Sequence, residues 1–205
     1  MASTPGKYNK FFAYTESVGE LIILNLLTVL CCIPVVTFGA SISAMNDVLI
    51  RKKHDEPYSI AGSFFKAFKN NFRHATGTWL IFAGIFLFLW WDFELWYQAA
   101  GDMPRYFEIL IITAFVICFA AAQWAFVLVA RYRMGIIKTV GYAFTRIIAF
   151  PVRTILMLAV TAAPMFLTAY YPITTPIILL LGLTLIGRVH SGIYDGALRI
   201  MEDDE

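Results

Sequence analysis

From position 21 onward the apolar residues fall in four long blocks without Asp, Glu, Lys or Arg, covering 21–46, 74–91, 109–130 and 155–187. A bilayer core about 30 Å thick takes about 20 helical residues, so the second and third blocks each predict one membrane span. The fourth holds 33 residues, about 50 Å of helix, which is too long for one crossing and enough for two short ones. Its middle reads Tyr170-Tyr171-Pro172-Ile173-Thr174-Thr175-Pro176, where two prolines stop the helix and two tyrosines suit an interface. A hairpin is predicted there, and Pro164 predicts a kink in the span before it.

The first block exceeds one span but contains the helix-break candidates Pro34 and Gly39. One solution is a span that breaks at Pro34 and continues as a polar-faced helix through Ser41, Ser43, Asn46 and Asp47. The other is a tight hairpin of two short helices. The continuing helix is the preferred expectation. Small residues at 39–44 resemble a leader cleavage site, yet the long approach from Lys7 and Lys10 argues against a cleaved signal. The resulting plan is all-α: a polytopic helical membrane bundle of about five spans in one domain, 1–205. The spans are placed at about 18–38, 75–96, 107–130, 154–171 and 173–190, with a separate amphipathic helix at about 59–73.

Composition agrees, with 60% hydrophobic and 15% charged residues and a mean hydropathy of +0.70, against about a quarter charged in soluble domains. A net charge of +2 gives no reason to expect nucleic acid. Position matters more than total. Arg51, Lys52, Lys53, Lys66, Lys69 and Arg73 separate the first and second spans, and Arg131, Arg133, Lys138, Arg146 and Arg153 separate the third and fourth. The alternate loops are acidic or uncharged. Basic loops face the cytoplasm, so the carboxyl end is expected inside, while the side of the amino end stays open. Cys31, Cys32 and Cys118 form neither a disulfide framework nor a metal spacing. No nucleophile elbow, zincin motif or phosphate loop occurs, and His54, His74 and His190 lack metal-like spacing. No enzyme activity, catalytic residue, cofactor or metal is therefore expected.

In the 59–73 helix, Ile60, Phe64, Phe65, Phe68 and Phe72 recur at helical spacing, with Lys66, Lys69 and Arg73 elsewhere on the turn. Such a helix lies in the inner lipid surface or docks a partner subunit; Phe64, Lys66, Phe68, Lys69, Phe72 and Arg73 are the docking candidates. Trp90, Trp91 and Trp96 stand near Asp92 and Glu94, where an aromatic belt is the default and a carbohydrate ring the alternative ligand. Asn25, Asn46, Asp47, Gln123 and Thr184 are the polar residues within spans, and none places a charge at the membrane centre. A weak parallel repeat of cytoplasmic helix, outward span and return span is also visible. Its two return spans close with Arg131-Tyr-Arg-Met-Gly135-Ile136 and Arg188-Val-His-Ser-Gly192-Ile193.

Asn25-Leu26-Leu27, then Cys32-Ile33-Pro34-Val35-Val36-Thr37-Phe38-Gly39-Ala40, then Phe64-Phe65-Lys66-Ala67-Phe68-Lys69-Asn70-Asn71-Phe72 running into Ala75-Thr76, resemble the amino-terminal signature of the YesL-like bacterial membrane proteins, catalogued as domain of unknown function 624. The signature covers residues 25 to about 80. The resemblance implies a multi-span protein of the bacterial cytoplasmic membrane, usually encoded beside carbohydrate ABC transporters and polysaccharide-degrading enzymes. It supplies no catalytic residue. The functional expectation is an accessory protein of a carbohydrate ABC importer that packs on the lipid-embedded permease subunits. The alternatives are an autonomous transporter or channel for a neutral solute, and a structural or sensory membrane protein. The acidic end, Glu202 to Glu205, is expected to be a solvated terminus.

Overall fold

The computed structural model describes residues 7–53, 59–100, 105–132 and 134–203; His54, Arg133, Asp204 and Glu205 lie outside them. Among the described residues seven helices follow one another: α1 (Lys7–Cys32), α2 (Phe38–Lys53), α3 (Ile60–Ala100), α4 (Arg105–Arg131), α5 (Ile136–Ala149), α6 (Pro151–Tyr170) and α7 (Thr175–Asp203). Short 3-10 turns at Val35–Thr37 and Pro172–Thr174 join α1 to α2 and α6 to α7. The described residues contain no strand. Three helices among them are long and apolar enough to cross a membrane: Ile60–Gln98, Arg105–Arg131 and Pro151–Tyr170. Val18–Cys32 is a shorter apolar helix.

The helix through Ser41, Ser43, Asn46 and Asp47 turns back beside α1, which corrects the expectation that it continues the span at about 18–38. Pro34 adopts an extended conformation, φ −73° and ψ 116°, and lacks the N–H that would prolong α1. The Thr37 hydroxyl sits 2.6 Å from the Cys31 carbonyl and 2.8 Å from that of Pro34, serving the oxygens left at the helix end. Five residues, 33–37, turn the chain back on itself. At the far end of the hairpin Lys52 Nζ meets Glu20 Oε2 at 2.5 Å, so α1 begins on the side where α2 ends.

Helix α2 is the centre of the bundle and packs against α1, α3, α4 and α7. Gly39, Ala40, Ser41, Ser43, Ala44, Met45, Asn46, Val48, Leu49 and Ile50 are all buried. Its run of small residues, the feature that makes it poor as a lipid-facing helix, lets neighbouring backbones come close. A β-carbon added at Gly39 would lie 2.6 Å from both the Ala75 carbonyl oxygen and Trp79 Cβ. Trp79 also donates from Nε1 to the Val35 carbonyl at 2.8 Å, fastening the hairpin tip to α3. Trp79→Phe should cost about 1 kcal/mol, read by unfolding in detergent, because the indole donor is lost and the ring kept.

Helix α1 is held to α7 by polar contacts inside the bundle. The Thr184 N–H donates to Asn25 Oδ1 at 3.2 Å, and the Thr184 hydroxyl donates to the Leu21 carbonyl at 3.2 Å. Both side chains are buried, Asn25 at 1% and Thr184 at 0% exposure, which explains why polar residues are retained in these apolar segments.

The amphipathic helix expected at 59–73 and the span expected at 75–96 are one helix of 41 residues, about 60 Å long. No proline occurs between Ile60 and Ala100, so nothing stops the helix at the membrane boundary. The second half of the chain contains the break that the first lacks. Phe150 separates α5 from α6 with φ −130° and ψ 62°, and Pro151 starts α6 at a position where its missing donor is harmless. Arg146 and Arg153 flank the Phe150 ring at 5.9 and 5.2 Å. Helix α6 runs through Pro164 without ending. On α4, Ala121, Ala122 and Ala125 are buried in the main core, and buried Trp124 donates from Nε1 to Thr154 Oγ1 of α6 at 3.0 Å.

Candidate functional site

The aromatic stripe of α3 divides into an inner and an outer face. Phe64 is fully buried and packs with Leu21, Leu24, Ala44, Val48 and Ala67. Phe68 is partly buried against the same cluster and stacks on Phe64 at 6.2 Å. These two rings hold α3 to α1 and α2; Phe64 has no surface left for lipid or a partner, which corrects that expectation for it, while Phe68 keeps part of its ring exposed. A hydrophobic face at this spacing buries itself when a small-residue helix lies beside it. Phe65 and Phe72 point outward at 52% and 36% exposure, and Lys69 and Arg73 are exposed with them. Trp90 and Trp91 are exposed, while Trp96 stacks on Phe107 at 4.7 Å between α3 and α4. Pro34 lies in the turn that follows α1, whereas Gly39, expected as a helix break, stands inside α2 and packs against Ala75 and Trp79.

Lys66 belongs to a cleft that spacing alone does not reveal. About 260 Å³ in volume, it lies between the C-terminal ends of α2 and α4 and the first half of α3. Asp47, Arg51, Ser63, Lys66, Asn70, Asn71, Arg131 and Tyr132 give it a polar wall, and Ala67, Val129 and Ala130 an apolar floor. Asp47 accepts from Arg51 Nε at 2.7 Å. A second hollow of about 180 Å³, with Asn70, Asn71, His74, Val129 and Tyr132, continues it. Arg51, Lys66 and Arg131 come from three helices, so no periodicity could have joined them. The paired asparagines beside Lys69 were the available clue.

A cavity of about 170 Å³ lies on the other side of α2, walled by Phe38, Trp79, Phe119 and Phe126, with Asn46, Gln123, Thr161 and His190 as its polar groups. His190 Nε2 lies 3.1 Å from the Met157 carbonyl and 3.3 Å from Thr161 Oγ1. Gln123 Oε1 lies 3.4 Å from Thr161 Oγ1, and its Nε2 is buried with no partner. Thr161 already donates to the Met157 carbonyl at 2.8 Å. Turning the Gln123 amide over would let its nitrogen donate to the Thr161 oxygen but would leave the amide oxygen in the position that lacks a partner. Thr161 and His190 thus share the Met157 carbonyl, while one end of the Gln123 amide stays unpartnered. Among the described residues, no group of three or more His, Cys, Asp or Glu side chains is arranged to hold a metal.

Residues 21–93 match a family model described as "Protein of unknown function, DUF624", which spans α2, most of α3 and the second half of α1. The match includes the Pro34 turn and the aromatic-lysine stretch, consistent with the YesL-like resemblance. No curated protein and no solved structure matches the chain.

Proposed function

We propose that this chain is an accessory membrane protein of the bacterial cytoplasmic membrane that packs against the permease subunits of a carbohydrate ABC importer. The observation that carries this reading is the apolar surface left open by two of the three long helices. The most apolar stretches of α3 and α6 are 11% buried within the chain, against 39% for α4. Leu87, Phe88 and Trp91 on α3, and Ile155, Met165 and Phe166 on α6, stand outward. Lipid covers such faces by default, and a second membrane protein covers them equally well by close packing. The basic ends of α2 and α4 support a cytoplasmic position for that end of the bundle, where α1 begins and α7 ends. Phe65, Phe72, Lys69 and Arg73 then form the cytoplasmic contact surface. Carbohydrate import enters from the company of the family that the amino-terminal signature resembles.

The test is photo-crosslinking from Phe88 and Phe166 in membranes expressing the complete import operon. Adducts with permease subunits are expected, and Phe65→Asp should lower permease recovered with the tagged chain several-fold while leaving the chain folded. Adducts only with lipid, and a chain purified alone from those membranes, would overturn the proposal. The cavity beside α2 favours a second reading, an autonomous carrier of a small neutral solute. Saturable uptake into liposomes containing this chain alone would establish it, and no uptake would exclude it.

A further inference from the structure

Helix α5 carries more apolar surface than the bundle covers. Thr139 and Ala143 are buried, and Val140, Phe144 and Ile147 pack partly buried against the main core. Ile137 and Ile148 do not join them and are 84% and 83% exposed. The two stand eleven positions apart, about three helical turns, so they share one line along the helix. Phe144, seven positions after Ile137 and four before Ile148, puts that line at the edge of the buried face. The apolar sector is therefore wider than its contact with the protein. Exposed Lys138 and Thr145 form the polar side. At the break into α6, the Arg146 and Arg153 guanidinium groups stand 5.9 and 5.2 Å from the Phe150 ring. Arg146 Nε and Arg153 Nη1 have no hydrogen-bond partner, so the ring, rather than an acceptor at those atoms, fixes the two cations at this corner.

We propose that α5 is an interfacial helix bound to the surface of an anionic leaflet, with Ile137 and Ile148 among the acyl chains and Lys138, Arg146 and Arg153 at the lipid phosphates. Its place in the chain favours lipid over a soluble partner. The helices on either side, α4 and α6, are both long and apolar enough to cross a membrane. Four residues, 132–135, join α5 to the first, and Phe150 alone joins it to the second. Fourteen residues make about 21 Å of helix, too short to cross, so α5 stays at the face where its neighbours enter. Extended backbone at Gly135 and the break at Phe150 free its axis from theirs. A helix held there with apolar residues beyond its protein contacts and basic residues beside them has the amphipathic pattern of an interfacial helix, and its charge complements acidic headgroups. The 59–73 stretch, which the sequence offered for this role, runs on into a span instead. The inference stands apart from the permease proposal, since lipid can cover α5 whatever the chain's partner.

The test places single cysteines labelled with the fluorophore NBD on the full chain, after Cys31, Cys32 and Cys118 are replaced, and reads quenching in nanodiscs of phosphatidylglycerol and phosphatidylcholine. The label at Ile148→Cys is expected to be quenched by spin-labelled acyl chains and little affected by iodide in the buffer. At Thr145→Cys, on the polar side of the same turn, the order should reverse. At equal trace fractions, spin-labelled phosphatidylglycerol should quench the Ile148→Cys label about fivefold more than spin-labelled phosphatidylcholine. Lys138→Gln, which leaves the Phe150 contacts in place, should lower that ratio, and Lys138→Gln/Arg153→Gln should bring it below about twofold. Stronger quenching at Ile148→Cys by iodide than by lipid would put α5 in water and overturn the proposal. Protection from both quenchers would mean that a second copy of the chain covers this face, and equal quenching by the two lipids would remove the anionic leaflet. Either result overturns the proposal as well.

Discussion

Replacing Gly39 by valine is expected to destabilise the bundle by about 3 kcal/mol, the upper end of overpacking costs. The folded fraction recovered from membranes should fall with it. The new β-carbon would stand 2.6 Å from the Ala75 carbonyl oxygen and from Trp79 Cβ, and 3.1 Å from the Phe126 ring. Two of these obstacles, the Ala75 backbone and the first atom of the Trp79 side chain, cannot swing away. Relief requires α2 and α3 to separate where Gly39 meets Ala75 and Trp79. Gly84→Ala is the matched comparison, because nothing lies within 4 Å of its added carbon. A helical alanine in open space should be neutral or stabilising by up to about 1 kcal/mol. Equal stability of Gly39→Val and Gly84→Ala, measured by reversible unfolding in detergent, would contradict the placement of α2.

The second large effect is expected at Phe64. Truncation to alanine should cost about 3 kcal/mol, since the ring is fully enclosed by α1, α2 and its own helix. Phe65→Ala, one position along, should stay within about 0.5 kcal/mol because that ring is 52% exposed. The pair separates stability from docking. Phe64→Ala should lose permease only in proportion to lost folded protein, and Phe65→Asp should lose it while the protein remains folded. The opposite pattern would restore Phe64 as a contact residue and require α3 to stand away from α2.

In the second half of the chain the apolar blocks coincide with most of α4 and α6 and the first part of α7, whose ends carry strong local signals, while α5 lies between blocks. Arg105 to Arg131 closes on charge, and Tyr170 to Pro176 breaks on proline and turns within a few residues. The first block was harder for a physical reason. Pro34 forces an end to α1, but its local chemistry is the same whether the chain goes on or turns back. The decision lies in long-range contacts, Glu20 with Lys52 and Trp79 with Val35, and no window of sequence contains both partners. The fused α3 reflects a different error. A change from basic amphipathic to uniformly apolar pattern marks a change of solvent, and a helix without proline crosses it unbroken. Asn25 and Thr184 were visible as polar residues in apolar segments, but their pairing across 159 positions was not. The cleft was least legible, since Arg51, Lys66 and Arg131 become neighbours only after α2 has folded back between α3 and α4.

The reversal at residues 33–37 underlies the buried α2, the cleft and the shared side of both hairpin ends. It is tested most directly by labelling single cysteines in intact cells with a membrane-impermeant maleimide, after Cys31, Cys32 and Cys118 are replaced. Gly19 lies in open space, with nothing within 4 Å of an added β-carbon, and both Lys53 and Trp91 are exposed. The hairpin predicts that Gly19→Cys and Lys53→Cys are both protected until the cells are permeabilised, whereas Trp91→Cys is labelled from outside. Labelling of Gly19→Cys from outside, with Lys53→Cys protected, would mean that the first helix crosses without returning, and would contradict the account.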